Sequence, residues 1–287
     1  MKTLIIGMGE VGRALCEVLR APVKKVVHME QIEDVGPADD YRSYEVPSAH
    51  EVKTYDKTDE KTLILFQPTD VLNICYPYNE KFVEQVSHYI DGCRPKLCII
   101  HSTVPVGTTR RVQQEVKHYA AKQYTDVVHS PIHGQHPRLV EGIRTFTKYV
   151  GDCDVTHGAA NHAMEFLKAA GINAVVVENA ETSELSKLMC TAQTAMGILV
   201  QQEIHRLCEV YGADFREVYT AWNLHYNEGY RRLSDVSALD SAMAVPDYSR
   251  PIYTLKPGPL GGHCLFQNAA LIDSWVTDCI RKHGGAK

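Results

Sequence analysis

At 287 residues, with 44% apolar and 23% charged residues, the chain has ordinary globular composition and a length that suggests about two domains. Disordered, collagen-like and coiled-coil classes are excluded by that usage, and a net charge of −5 argues against a nucleic-acid-binding surface. No apolar run approaches the roughly 18–20 residues that cross a bilayer, and the stretch Leu4–Ile6, broken by Gly7, is too short for a signal peptide. The nine cysteines are odd in number, scattered, and contain no C-x-x-C pair. Reduced thiols in a cytoplasmic protein are therefore expected, with no membrane partner.

In chain order, Thr3–Ile6 reads as a strand, Val11–Leu19 as a helix and Lys25–Met29 as a second strand. Strands follow at Val71–Cys75, Leu97–His101 and Asp126–His129, with helices over Glu80–Ile90 and Thr109–Ala121 between them. Tyr149–Gly151, His162–Ala170 and Ala174–Val177 add one more strand–helix–strand step. Short apolar runs separated by amphipathic helices imply βαβ units and a mainly parallel, covered sheet. From Thr182 the period changes: Leu185, Leu188, Met189, Ala192, Ala195, Met196 and Leu199 recur at helical spacing up to Gly212. About 30 residues at 1.5 Å each give a helix of about 45 Å, long enough to serve an interdomain or intersubunit seam. The expected architecture is α/β: a Rossmann domain over 1–180, then an all-α domain over 181–287 built on the long helix 182–211.

Gly7-Met8-Gly9-Glu10-Val11-Gly12 follows the first strand and opens the first helix. The first glycine permits the tight turn, the second lets a pyrophosphate approach the backbone, and the third lets helix and strand pack closely. Free N–H groups at the helix start then favour an anion. Gly7, Gly9, Glu10, Val11 and Gly12 are thus the candidate dinucleotide residues, and Pro77, just beyond the Val71–Cys75 strand, is counted with them. Glu30, 18 residues past Gly12, ends the second strand, where a carboxylate binds ribose hydroxyls and repels a 2′-phosphate. NAD is favoured over NADP.

Three further segments carry chemistry. They are His101-Ser102-Thr103-Val104-Pro105-Val106-Gly107-Thr108-Thr109, Glu184-Leu185-Ser186-Lys187 on the long helix, and Pro257-Gly258-Pro259-Leu260-Gly261-Gly262-His263-Cys264. In this order behind a Rossmann glycine turn, they resemble the UDP-glucose/GDP-mannose dehydrogenase family, within the wider 6-phosphogluconate and β-hydroxyacid dehydrogenase group. The resemblance implies two successive NAD-dependent oxidations, alcohol to aldehyde to acid. It implies Cys264 as the nucleophile that forms a thiohemiacetal and then a thioester, and Lys187 as the cation facing oxyanion character on the reacting carbon. Thr103 matches a threonine near the nicotinamide that helps hold the reactive water. Arg250 resembles an arginine that reaches substrate across a homodimer, and Lys256 and Gly261 are grouped with it as substrate residues.

The same comparison shows departures. The family's asparagine four places after the lysine is Thr191 here, and its aspartate four places after the cysteine is Asn268. The glutamate linked to water activation is replaced by Ile132-His133-Gly134-Gln135-His136-Pro137, unless Glu141 or a histidine stands in. Members of the family carry a third, nucleotide-gripping domain that this chain is expected to lack, so its substrate is a smaller sugar-like or anionic hydroxyl compound, or one whose pocket another chain completes.

His129, His133 and His136 sit close together with His101 on the neighbouring strand end. Their spacing fits no zinc motif, so no metal is expected; His133 and His136 are read as substrate contacts or acid–base groups, or as ordinary loop histidines. Tyr226, Tyr230, Arg231 and Arg232 read as packing with a wet edge rather than a pocket lining. Two other functions fit the residues: a two-electron β-hydroxyacid-type dehydrogenase that does not use Cys264, and a non-catalytic NAD-binding protein.

Overall fold

The computed structural model describes residues 1–21, 23–28, 41–46, 51–55, 69–119, 125–134, 138–153, 158–236, 250–253, 260 and 263–283. The chain divides into two compact units, Met1–Lys187 and Leu188–Lys287.

The first unit holds a seven-stranded sheet in the order β4-β1-β5-β6-β7-β8-β9. Its strands are β1 (Lys2–Ile6), β4 (Glu51–Tyr55), β5 (Val71–Ile74), β6 (Leu97–Ile100), β7 (Asp126–His129), β8 (Lys148–Asp152) and β9 (Ala174–Val176). All neighbouring pairs are parallel except β7 and β8, which run antiparallel with His129 opposite Gly151. Alternation along the strands sorts side chains onto two buried faces. Ile5, Val71, Leu97, Ile99 and Val128 pack with Leu15, Val18 and Leu19 of α1 (Glu10–Arg20), Ile143 of α4 (Leu139–Thr145) and Phe166 of α5 (Ala159–Ala169). Leu4, Ile6, Leu72, Ile74, Cys98 and Ile100 pack with Phe82, Val86 and Ile90 of α2 (Phe82–Cys93) and Val112 of α3 (Thr108–Tyr119). Helices on both faces explain why these strands read as near-continuous apolar runs.

One expectation is corrected. The second strand, β2 (Val23–His28), does not lie beside β1; it pairs antiparallel with β3 (Tyr41–Val46) in a two-stranded sheet of its own. The strand next to β1 is β4, with Ile6 opposite Tyr55.

The helix α6 (Ala180–Tyr211) is 32 residues long. In the second unit its residues Ala192 and Ala195 form a core with Leu260, Ala269 of α8 (His263–Ala269) and Ile280 of α9 (Trp275–His283), with Met189, Met196 and Phe266 packed on it. A π-helical turn, Arg216–Ala221, runs into α7 (Trp222–Val236). The second unit is all-helical among its described residues, and no helix of the described chain is long and apolar enough to cross a membrane.

Candidate functional site

The glycine turn has the geometry that its spacing implies. Gly7 has φ +95°, and a Cβ there would press on the Tyr76 backbone nitrogen. A Cβ on Gly12 would overlap the Gly7 carbonyl oxygen. Gly9 is different: its φ is −67°, no atom would meet a Cβ, and it caps α1 with no side-chain hydrogen bond. The close contacts at Gly7 and Gly12 are structural, while the open face at Gly9 leaves room for a ligand to approach the backbone at the helix start, ahead of Glu10 and Val11. The loop after β5, which carries the exposed Pro77, abuts this turn through Tyr76. Glu30 lies outside the described residues.

The loops after β6 and β7 meet the start of α6 through three polar ties. Glu184 is fully buried; its carboxylate accepts from Gly107 N at 2.6 Å, Thr109 N at 2.8 Å and Thr109 Oγ1 at 2.6 Å. These donors belong to the first turn of α3, so Glu184 caps that helix from 75 residues away. Burial pushes its carboxyl above the usual range, and the three donors pull it down without cancelling that rise. Arg110 forms a fork with Glu181, at 2.5 and 3.0 Å, and donates to Cys153 O. His129 Nε2 donates to Ser102 O at 3.1 Å, which leaves Nδ1 to accept from Ser183 Oγ at 2.7 Å. Ser102 in turn donates to Tyr76 O at 2.6 Å, joining the β5 and β6 loops.

Glu181, Glu184 and Lys187 recur every three residues on one stripe of α6. Glu184 is the residue that sequence reasoning quoted without assigning a role. Lys187, one turn further on, is half-buried, and its charge is felt by His129, His133 and Lys148. Thr103 is half-buried just beyond β6.

Beneath these loops runs a second network that the sequence reading missed. Asn73 Nδ2 donates to Leu4 O, its Oδ1 faces His101 Nε2 at 2.9 Å, and His101 Nδ1 faces Lys148 Nζ at 3.2 Å. Lys148 is 1% exposed and also donates to Ser130 O and Pro131 O. His133 is half-buried in the same segment, with its ring edge-on to Tyr149. Its Nδ1 is buried and has no hydrogen-bond partner among the described residues. Burial, then Lys187 and Lys148, bring His133 down to about 4, so it is a neutral imidazole at physiological pH. His136 lies outside the described residues. No group of three or more metal-ligating side chains occurs among the described residues.

In the second unit, Asn268 Nδ2 donates to Thr191 Oγ1 at 3.1 Å, so the two departures from the family pattern bond to each other. Cys264 is half-buried on α8, one turn before Asn268. Arg250 is exposed, with its guanidinium 3.6 Å over the Tyr226 ring and its backbone held in both directions by Asn227. The Tyr226 and Tyr230 rings meet at a tilt with centroids 4.9 Å apart, and Tyr226 seats Arg250. Lys256 and Gly261 lie outside the described residues.

Residues 181–238 match the sequence model of the UDP-glucose/GDP-mannose dehydrogenase family, central domain, which bears out the resemblance over that span. Over 99% of its length the chain is similar in structure to UDP-D-ManNAc dehydrogenase from Pyrococcus horikoshii, with TM-score 0.66 and 18% identity. An NDP-N-acetyl-D-galactosaminuronic acid dehydrogenase from Methanosarcina mazei gives TM-score 0.62 at 14% identity, also over 99% of the chain. The 3-hydroxyisobutyrate dehydrogenase of Mycobacterium tuberculosis gives 0.56 at 15% over the whole chain. The chain spans 68%, 65% and 88% of these three proteins. At such identities the likeness establishes the fold: an N-terminal Rossmann domain followed by helices. No curated protein matches the sequence.

Two outcomes follow. Glu184→Ala strips the acceptor from two backbone N–H groups and a hydroxyl, and urea unfolding should show a loss of about 2–4 kcal/mol, with Glu184→Gln losing less. Burial lowers His129 to about 3, against 6.5 for a free histidine. Between those values the unfolded chain binds the extra proton, so stability falls as pH drops through that window. Unfolding free energies measured from about pH 7 down to about pH 4 should decline, and His129→Asn should make the decline shallower, His101 and His133 supplying the rest.

Proposed function

We propose that this chain is an NAD-dependent dehydrogenase that oxidises a CH–OH group of a sugar-like or anionic substrate. The observation that carries the reading is the open Gly9 backbone at the start of α1, at the same C-terminal edge of the sheet as the loops bearing Thr103 and His133. Open α/β sheets bind ligands along that edge.

Gly7, Gly9, Glu10, Val11 and Gly12 would hold the dinucleotide pyrophosphate, with Pro77 and Thr103 beside it. A bound nicotinamide dinucleotide supplies the hydride acceptor. His133, a half-buried neutral imidazole, would take the hydroxyl proton as the carbon loses its hydride, leaving a carbonyl. The Lys187 ammonium stabilises the developing oxyanion, and its helix stripe is fixed by Glu184 and Glu181. Arg250, seated over Tyr226, binds an anionic group of the substrate. We assign Lys256, Gly261 and His136 to substrate contact on sequence grounds alone. Cys264 would add to the aldehyde, and loss of a second hydride from that thiohemiacetal gives a thioester for water to hydrolyse.

A second reading has a specific observation behind it. Thr191 and Asn268 are hydrogen-bonded to each other, and neither side chain can take a proton from water near neutral pH. This favours a reaction that stops after the first hydride, as in a hydroxyacid-type enzyme. The name of the 3-hydroxyisobutyrate dehydrogenase, of which the chain spans 88%, points the same way. All nine cysteines are free, which supports a cytoplasmic location. Exposed Val200, Leu207 and Val210 on α6 support a homodimer through the long helix.

The test is NADH formed per substrate consumed, across nucleotide sugars, sugar phosphates and small hydroxy acids, in wild type, Lys187→Ala and Cys264→Ala. Two NADH with Cys264→Ala arrested at the aldehyde establishes the four-electron reaction. One NADH, indifferent to Cys264, establishes the two-electron one. Turnover on nothing, with NAD still bound, makes the chain a binding protein. A companion pair isolates the cofactor turn. Gly9→Ala meets no atom and should keep wild-type stability while weakening NAD binding at least about tenfold. Gly12→Ala should lower the unfolding midpoint itself.

A further inference from the structure

Lys148 is a lysine where none is expected: 1% exposed, at the start of β8, with no carboxylate in ion-pair distance among the described residues. Its hydrogen bonds explain what it does there. Nζ lies 2.6 Å from Ser130 O, 3.0 Å from Pro131 O and 3.2 Å from His101 Nδ1. The two carbonyls accept only. The state of His101 is fixed from its other side: Asn73 gives its Nδ2 to Leu4 O, so Oδ1 must face His101 Nε2, which therefore carries the hydrogen. With the hydrogen on Nε2, the Nδ1 lone pair lies 3.0 Å from Ser130 O as well as 3.2 Å from Lys148 Nζ, so an ammonium donating to both offsets that acceptor–acceptor approach, and Lys148 meets three acceptors. An ammonium has three N–H donors to match them, while a neutral amine has two.

The ammonium therefore clamps the segment that begins at Ser130 and bears His133 three residues on. We propose that Lys148 is a positioning residue for His133: its ammonium fixes the Ser130 and Pro131 carbonyls, and with them the segment that carries the His133 ring. The proposal deepens the dehydrogenase reading and rests on it only for the proton that His133 would take.

Among the described residues, these groups surround the pair. Lys148 faces Cys75 at the end of β5, Lys187 on α6 and His101 beyond β6; His133 faces Lys148, Lys187, the buried His129 of β7 and the Tyr149 ring. Burial, helped by Lys187 and opposed by Cys75, brings Lys148 down to about 7. The folded chain thus releases this proton far below the unfolded 10.5, and the clamp weakens as pH rises through about 7.

Histidine ring titration by NMR tests this without substrate or cofactor, with the His133 signal assigned by its loss in His133→Gln. In Lys148→Met the His133 midpoint should rise measurably above about 4 while staying below 6.5, because burial and Lys187 still act on it, and in Lys148→Arg it should stay low. A folded Lys148→Met with an unmoved His133, or an Arg variant that shifts as far as Met, overturns the proposal. Wild type alone gives a second reading should Lys148→Met fail to fold. Below about pH 6 the Lys148 Nζ signal should be that of an ammonium, with His101 as the Nε2–H tautomer. An amine there, or a His101 Nδ1–H, overturns the clamp. Failure of either measurement leaves the NADH count standing, and an absence of turnover leaves these titrations untouched.

Discussion

The buried Glu184 carboxylate is the interaction on which the arrangement of this site depends. Removing a carboxylate from water is costly unless donors replace the solvent. Here two backbone N–H groups and one hydroxyl do so, all from the turn that opens α3. One bond set therefore satisfies a helix start and fastens α6 to the loop that follows β6. Glu181 and Ser183 add ties to Arg110 and His129 in the same turn of α6. Lys187 is thereby set at a defined height above the sheet edge, since a helix fixed at three successive points has little freedom one turn further on.

Beneath that edge the polar chain from Leu4 O through Asn73, His101 and Lys148 does for the β7 loop what Glu184 does for the β6 loop. Asn73 sets the role of His101 Nε2, while His101 Nδ1 faces both Ser130 O and Lys148 Nζ. Such networks are favourable when every member is satisfied and expensive when one is not. The two clamps have opposite charge and hold neighbouring loops, and the cation lies on the side of His133.

Much of the fold was legible because strand and helix periods are local properties. The runs ending at Ile6, Ile74, Ile100 and His129 are buried on both faces, and α6 is one continuous helix of 32 residues. The error over β2 has a local cause as well: Lys25–Met29 reads as a strand whichever partner it takes. The two clamps were hidden for a different reason. Glu184 bonds to residues 75 positions away, and Lys148 reaches Ser130 over 18 and His101 over 47. In sequence, a lysine at the start of a strand reads as a solvated charge, and nothing near it in the chain says otherwise. The Thr191 and Asn268 departures were visible as substitutions, but their mutual hydrogen bond required the fold.

The most direct check on the Glu184 clamp is a double-mutant cycle, with unfolding free energies measured for wild type, Glu184→Gln, Thr109→Val and the double variant. If the carboxylate holds α6 to the α3 turn, the two changes couple by about 1–3 kcal/mol. Effects that add to within about 0.5 kcal/mol would contradict it, and Lys187 would then need some other reason for its place.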